Sequence, residues 1–310
     1  MPFFLNWLRR AFGVSALQSE LRRTNKRLEA LEGHARQEIK WRGNFTGTVN
    51  ALLRRDYLAN FLGEDYPFAM TARRFKLFSQ NEEDGMTLAL LETAGVVNRT
   101  FVEIGSGASG GNSGMLSREF GWRGLMVDSD AEKIARARDK FGSNPHASFE
   151  AIAVTPENVD ALIERHGLAG EVDLFSLDID SFDYWVLEGM TACKPRVMIL
   201  EYNANFGPQK SLTIAPDTDL GRAPKGFHGA SLQALTKLAA RKGYKLLACD
   251  ESGTNAFFLR EDLRPEIKPV SAETAFRPMI DKADPMREAP RVTKNLEEIA
   301  ATQGLRLIEI

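Results

Sequence analysis

Cysteine is scarce here. The 310 residues hold two, Cys193 and Cys249, without the paired spacing of zinc motifs. Histidine numbers only four, so the chain offers no zinc-binding motif. Both cysteines sit in or beside apolar runs and read as reduced core thiols, which points to a cytoplasmic setting. Charge of one sign is lacking too, since 40 basic and 42 acidic residues leave a net charge of −2. That balance gives no general electrostatic drive toward nucleic acid or an anionic membrane. No apolar run approaches the ~20 residues of a bilayer-spanning helix. In the opening MPFFLNWLRRAFG, Arg9 and Arg10 follow a short apolar run, the reverse of a secretory signal. Residues 1–13 therefore read either as a packing helix or as an interfacial anchor giving peripheral membrane contact.

What is present is the composition of an ordinary globular protein, 43% hydrophobic and 26% charged. The length suits one large domain with appendages. The pattern divides into a helical extension over 1–70, a central domain over 71–264 and a carboxyl-terminal arm over 265–310. Within the extension, Leu17, Leu21, Leu28 and Leu31 recur at heptad intervals, with Thr24 in the remaining slot. Residues 16–31 thus form either a short coiled coil joining copies of the chain or a helix lying on its own domain. Asn50–Gly63 reads as another amphipathic helix.

The central domain is organised around Thr100–Gly114, TFVEIGSGASGGNSG. A buried strand, Phe101–Ile104, runs into a loop rich in glycine. Such a loop brings bare backbone N–H groups close to a ligand, with a helix N-terminus behind them. A second strand, Gly124–Val127, ends in Asp128 about 20 residues further on, where doubly wound sheets receive ribose hydroxyls. Two cofactor classes compete for this stretch. GSGASG satisfies the dinucleotide pattern, but Glu103 stands two residues before its first glycine and would repel a pyrophosphate. S-adenosyl-L-methionine (SAM) instead presents an ammonium and a sulfonium for Glu103 to face. A strand–turn–helix with no ligand is the plain structural alternative.

Lys76–Gly85 reads as a helix start capped by Ser79 or Asn81, or as a lid carrying Gln80 and Glu83 or Asp84 to the site. Ala147–Val154 gives a third strand and Asn158–His166 a helix. Leu174–Leu177 is a buried strand ending in Asp178, Asp180 and Asp183. Acids at the end of a central strand are costly unless a ligand, a metal or water meets them. Capping of Tyr184–Gly189 by Asp180 or Ser181 would account for one of them. Arg196–Glu201 is a fifth strand, again ending in a carboxylate. Phe206–Lys225 has the size and composition of a loop that closes over substrates. Gly229–Lys242 is a helix, Tyr244–Cys249 and Ala256–Arg260 form a hairpin, and Val292–Ile310 reads as a helix and a short strand. A parallel sheet finished by a hairpin argues for a class I methyltransferase, because a dinucleotide fold would continue with parallel units.

The segments SQNEEDG, FVEIGSG, GWRGLMVDSD, LDIDSFDYWVLEG, VMILEYNANFGP, GASLQALTKLAARKGYKL and NAFFLRED recur in one order. Through them, residues from about Phe78 to Asp262 resemble the SAM-dependent methyltransferases related to the FkbM type. The resemblance implies an α/β, Rossmann-like class I methyltransferase fold with a mostly parallel seven-stranded sheet. It implies that Glu103, Gly105, Ser106 and Gly107 form the methionine-binding loop. Asp128 with Ser129 or Asp130 would be the ribose site, and Ala153 would lie near the adenine. Asp178 and Asp180 fall on the acids of the family's D-x-E-G segment, here with a shorter second acid and Ser181 in place of glycine. Asp178, Asp180, Glu201 and His228 are the catalytic candidates, and a base among them would help a hydroxyl to react. A magnesium ion on Asp178 and Asp180 would serve the same end. By analogy with the family, the acceptor is a sugar, a glycan or a related small-molecule hydroxyl. An NAD(P) oxidoreductase, a glycosyltransferase reading Asp178-Ile179-Asp180 as DxD, and a non-catalytic scaffold are the competing readings.

Overall fold

The computed structural model describes residues 20–39, 41, 68–280 and 294–310 of the chain. The chain divides into two compact units, Met1–Val49 and Asn50–Ile310. In the first, residues 20–39 are helical, and Leu21, Leu28 and Leu31 are 62%, 57% and 65% exposed. Leu17, the anchor or packing segment at 1–13 and the helix expected at Asn50–Gly63 lie outside the described residues. Among the described residues, no helix is long and apolar enough to cross a membrane.

The second unit is built on β1 (Thr100–Ile104), β2 (Arg123–Asp128), β3 (Ala147–Ala151), β4 (Gly170–Leu177), β5 (Cys193–Glu201), β6 (Leu212–Ile214), β7 (Tyr244–Cys249), β8 (Asn255–Arg260) and β9 (Leu307–Glu309). Seven of these form one sheet in the order β3-β2-β1-β4-β5-β8-β7. The first five run parallel, and β8 inserts antiparallel between β5 and β7. This is a Rossmann-like α/β arrangement, the mostly parallel seven-stranded sheet expected, whose last hairpin stands where a dinucleotide fold would add another parallel unit.

Strand alternation sorts the core into two faces. Val102 and Ile104 of β1 pack with Val159, Leu162, Leu187 and Leu235, from helices on one side. Phe101 joins Leu90, Leu116 and Phe141 on the other. Burying each such side chain contributes about 1.5–3 kcal/mol. Because β1 is central and covered on both faces, every residue in it is buried, Glu103 included.

Local chemistry departs from expectation in three places. At the helix Glu83–Ala94 the Ser79 hydroxyl accepts from the Asp84 N–H at 3.2 Å, as a cap does, but most of the bonding runs the other way. Asp84 in the first turn accepts from the backbone N–H of Leu77, Phe78 and Ser79, and Glu83 accepts from that of Asn81. The acids thus tie the incoming chain to the positive end of the helix. The helix Asp183–Gly189 lacks a side-chain cap from Asp180 or Ser181. Third, β3 ends at Ala151, and Ile152–Val154 leaves the ladder to line the cavity described below.

The carboxyl-terminal segment returns to the domain. The helix Leu296–Gln303 packs Leu296 and Ala300 against Phe206, Ile214 and Phe227, and β9 pairs antiparallel with β6. Trp185 donates from its indole N–H to the Ile214 carbonyl at 2.9 Å, tying β6 to the main body.

Candidate functional site

A cavity of about 920 Å³ opens at the carboxyl edge of the parallel strands. That is near the upper end of the ~300–1,000 Å³ typical of ligand sites. Glu103, Gly105, Ser106, Gly107, Asp128, Ser129, Ala153, Asp178, Asp180, Glu201 and His228 all line it. Residues spread from position 103 to position 228 therefore share one space.

One end is built by β1, β2 and the glycine loop. Gly105 has φ +88°, and a Cβ there would lie 1.5 Å from the Asp178 carbonyl oxygen. Only glycine lets the two strand ends approach this closely. Gly105 and Ser106 donate their N–H groups to the Val127 carbonyl, at 2.8 and 2.9 Å. Asp128 accepts from the Gly107 N–H at 3.0 Å and from the Asp130 N–H at 2.9 Å. Lys133 stands 3.8 Å from it. Glu103 lies under the far side of the loop, accepting from the Asn112 N–H and the Ser113 hydroxyl. Gly111, at φ +54°, leaves room for that carboxylate, which a Cβ would meet at 2.0 Å. Burial pushes the Glu103 carboxyl up to about 7, against the stabilising Ser113 and Asn112 donors.

The other end is acidic. Asp178 follows β4, held by its N–H to the Ile104 carbonyl at 2.9 Å, and Glu201 closes β5. Burial raises the Asp178 carboxyl well above the usual range, and repulsion from Asp183 and Asp180 adds to this. Glu201 is raised likewise, first by burial and then by Asp178. Asp183 has a different task. Its carboxylate accepts from the backbone N–H of Ile179 and Ser181, at 2.9 and 3.1 Å. That clamp shapes the turn on which Asp180 sits at φ +52°, a left-handed conformation unusual for a residue with a side chain. Strain of this kind collects at functional sites. Asp180 is largely exposed to the cavity side, at 78% of its side-chain area.

His228 arrives from a third loop. Its carbonyl accepts from the Asn203 side-chain amide at 2.9 Å, and the next residue, Gly229, donates its N–H to Ser181 at 2.8 Å. The imidazole lies between the acids, with Nε2 3.5 Å from Asp180 and Nδ1 4.0 Å from Glu201. Nδ1 is buried without a hydrogen-bond partner. One donor atom each from Asp180, Glu201 and His228 lie within 4.8 Å of one another. Among the described residues this trio, which shares Asp180 with the expected pair Asp178 and Asp180, is the group of three such side chains close enough to hold one ion.

Several wall residues had no signal in the sequence. Met279, Ile280 and Lys294 of the carboxyl-terminal arm line the cavity, as do Thr254 and Asn255 of the hairpin. The Ile280 N–H bonds the Ser252 carbonyl at 3.1 Å, a tertiary contact that proline-rich sequence does not announce. Within the loop expected to close over substrates, Leu220 and Ala223 to Lys225 do line the cavity, and Gln80 and Glu83 reach it from the amino-terminal side.

No protein-family model matches the sequence, and no curated protein matches it. Solved structures of similar shape include a TehB-like SAM-dependent methyltransferase from Corynebacterium glutamicum. That match has 14% identity, covers 70% of this chain and 100% of that one, and has a TM-score of 0.32. An O-methyltransferase from Bacillus cereus in complex with SAH matches at 15% identity over 69% of this chain and 97% of its own, with a TM-score of 0.36. A SAM-dependent methyltransferase from Clostridium acetobutylicum matches at 12% identity, 58% and 92% coverage and a TM-score of 0.38. No conclusion about activity follows from likeness at this level.

Proposed function

We propose that this chain is a SAM-dependent O-methyltransferase acting on a hydroxyl of a sugar, a glycan or a related small molecule. The observation that carries the reading is the shared cavity, in which the glycine loop and Asp128 face the same space as Asp180, Glu201 and His228. The sequence resemblance to the FkbM type supports it independently.

The residues present fit the cofactor. Gly107 leaves space open beside the loop, with no atom nearer than 3.9 Å to where its Cβ would stand, and Asp128 offers a carboxylate at the end of β2 for ribose hydroxyls. Ile152, Ala153 and Val154 give an apolar wall beside it for a flat base. Burial holds Glu103, Asp178 and Glu201 in the wall toward the protonated form, so a ligand bearing positive charge, which would offset that cost, fits these acids better than one bearing a pyrophosphate. When bound, the cofactor supplies a methyl group on a sulfonium. Methylation of an acceptor hydroxyl would release one proton. The chain's own work is alignment, exclusion of water and removal of that proton. Asp178, Asp180, Glu201 and His228, which line the cavity, are the groups available to take it. The polar lining from Asn205, Lys225 and Lys294 suits an acceptor rich in hydroxyls.

Calorimetric titration with SAM, its demethylated product, NADH and a UDP-sugar tests the reading. Micromolar binding of SAM or its product, weakened at least about tenfold in Asp128→Asn, is the expected result. Binding of NADH or the UDP-sugar instead would overturn it. Silence from all four would favour a scaffold.

A further inference from the structure

We propose that Asp180, Glu201 and His228 form a divalent-cation site that takes a first-row transition ion of the Mn2+ type and presents it to the acceptor. Opposite donors on one ion, with bonds of roughly 2.1–2.4 Å, lie at most about 4.2–4.8 Å apart. The three donor atoms meet that limit. The gap of 4.0 Å between His228 Nδ1 and Glu201 is too long for a hydrogen bond. It leaves a buried ring nitrogen without a partner, although such atoms almost always have one. An ion between them would satisfy both. Glu201 is nine-tenths buried and aimed at the same point, and no lysine or arginine among the described residues is ion-paired with it or with Asp180.

The site is held before any ion arrives. Glu201 is fixed by the β5–β8 ladder, where it pairs with Asn255. His228 is fixed by the Asn203 amide, which also donates to Gly226 at 3.0 Å. Asp180 is fixed by the Asp183 clamp and the Gly229–Ser181 bond. Three separate loops thus converge, stitched by backbone and amide hydrogen bonds, with the Asp178 carboxyl beside that of Glu201. Such support is what a metal site needs from its surroundings.

The donor set selects the ion. Two carboxylates alone would suit magnesium or calcium, but an imidazole shifts preference to manganese, iron or zinc. The exposure of Asp180 leaves one side of the ion open to the cavity, where an acceptor hydroxyl could bind and lose its proton more readily. That use of the ion rests on the methyl-transfer reading. The binding of the ion does not.

The test is a Mn2+ titration of the full, chelator-treated chain, followed by electron paramagnetic resonance of the free ion. The expected result is one Mn2+ bound per chain, weakened at least about tenfold in His228→Ala, Glu201→Gln and Asp180→Asn, and little displaced by equimolar Mg2+. His166→Gln, at a histidine paired with Glu150 away from the cavity, should bind as the wild type. The exposed Asp180 carboxylate makes Asp180→Asn the variant safest for folding, and its thermal midpoint should match the wild type. Absence of bound Mn2+ in the wild type, or undiminished binding in Asp180→Asn, overturns the proposal. SAM binding is measured on the same samples. Mn2+ without SAM binding removes the methyl-transfer reading and keeps the cation site, whereas SAM without Mn2+ does the reverse.

Discussion

Replacing Gly105 and Gly107 by alanine separates two effects that glycine loops usually combine. Both glycines have positive φ, +88° and +56°, so alanine at either incurs roughly 1–2 kcal/mol of backbone strain. Their surroundings differ. At Gly107 the nearest atoms to a new Cβ lie 3.9 Å away, whereas at Gly105 the Asp178 carbonyl oxygen lies at 1.5 Å. That oxygen belongs to main chain just after β4, so relief requires the ends of β1 and β4 to move apart. Overpacking of this kind typically adds about 1–3 kcal/mol. Gly107→Ala should therefore lose about 1–2 kcal/mol of stability and keep ligand binding within about tenfold. Gly105→Ala should lose about 2–5 kcal/mol. Moving Asp178 should also weaken both SAM and Mn2+ binding more than tenfold. Urea unfolding gives the stabilities, and calorimetry on folded samples gives the affinities. Equal losses in the two variants, with equal affinities, would refute the claim that close approach rather than φ sets the cost at Gly105.

Glu103 should make stability fall as pH rises. Its carboxyl titrates at about 7 when folded, against a model value of 4.5. The folded state therefore holds the proton more tightly, and its contribution is full below the unfolded value and is lost up to about 7. The loss is about 3 kcal/mol by linkage. Urea unfolding at about pH 5 and pH 8 should show it in the wild type, and Glu103→Gln should reduce the drop; an unchanged drop would remove Glu103 as the cause. Asp173 is buried and accepts from the backbone N–H of Val97, Asn98 and Thr100 at 2.7, 2.9 and 3.0 Å. Asp173→Ala should cost about 3 kcal/mol or more, with ligand affinity of the folded fraction unchanged because the clamp is at the opposite end of β1. Cys193 and Cys249 are buried, and burial pushes the Cys193 thiol up to about 12. Neither should react with an aromatic disulfide reagent in the native protein, and both should react in urea; fast native labelling would mean that these thiols reach solvent.

The parallel strands and the glycine-loop end of the cavity were legible because their signals are local. Apolar runs mark β1, β2, β4 and β5, and a glycine loop after one strand followed by an acid after the next is a pattern within about thirty residues. The loop and Asp128 follow neighbouring parallel strands and bond each other directly, so sequence spacing and spatial spacing coincide. The bonding at the helix starts near Glu83 and Asp183 was less legible for the opposite reason. Their acids reach backward to satisfy backbone amides, and the same residue types serve equally well as caps or as ligands.

Sequence alone thus determined the sheet, the hairpin at its end and the carboxyl-edge position of Glu103, Gly105, Asp128 and Asp178, because each follows from periodicity and turn chemistry along a continuous stretch. Tertiary structure alone decided which acids face each other. It set His228 between Asp180 and Glu201, turned Asp183 into a clamp and brought Lys294 and Ile280 to the cavity wall. Those relations depend on hydrogen bonds and packing between segments far apart in the chain. No local preference encodes them, since a loop histidine or an arm lysine has the same propensities wherever the fold carries it.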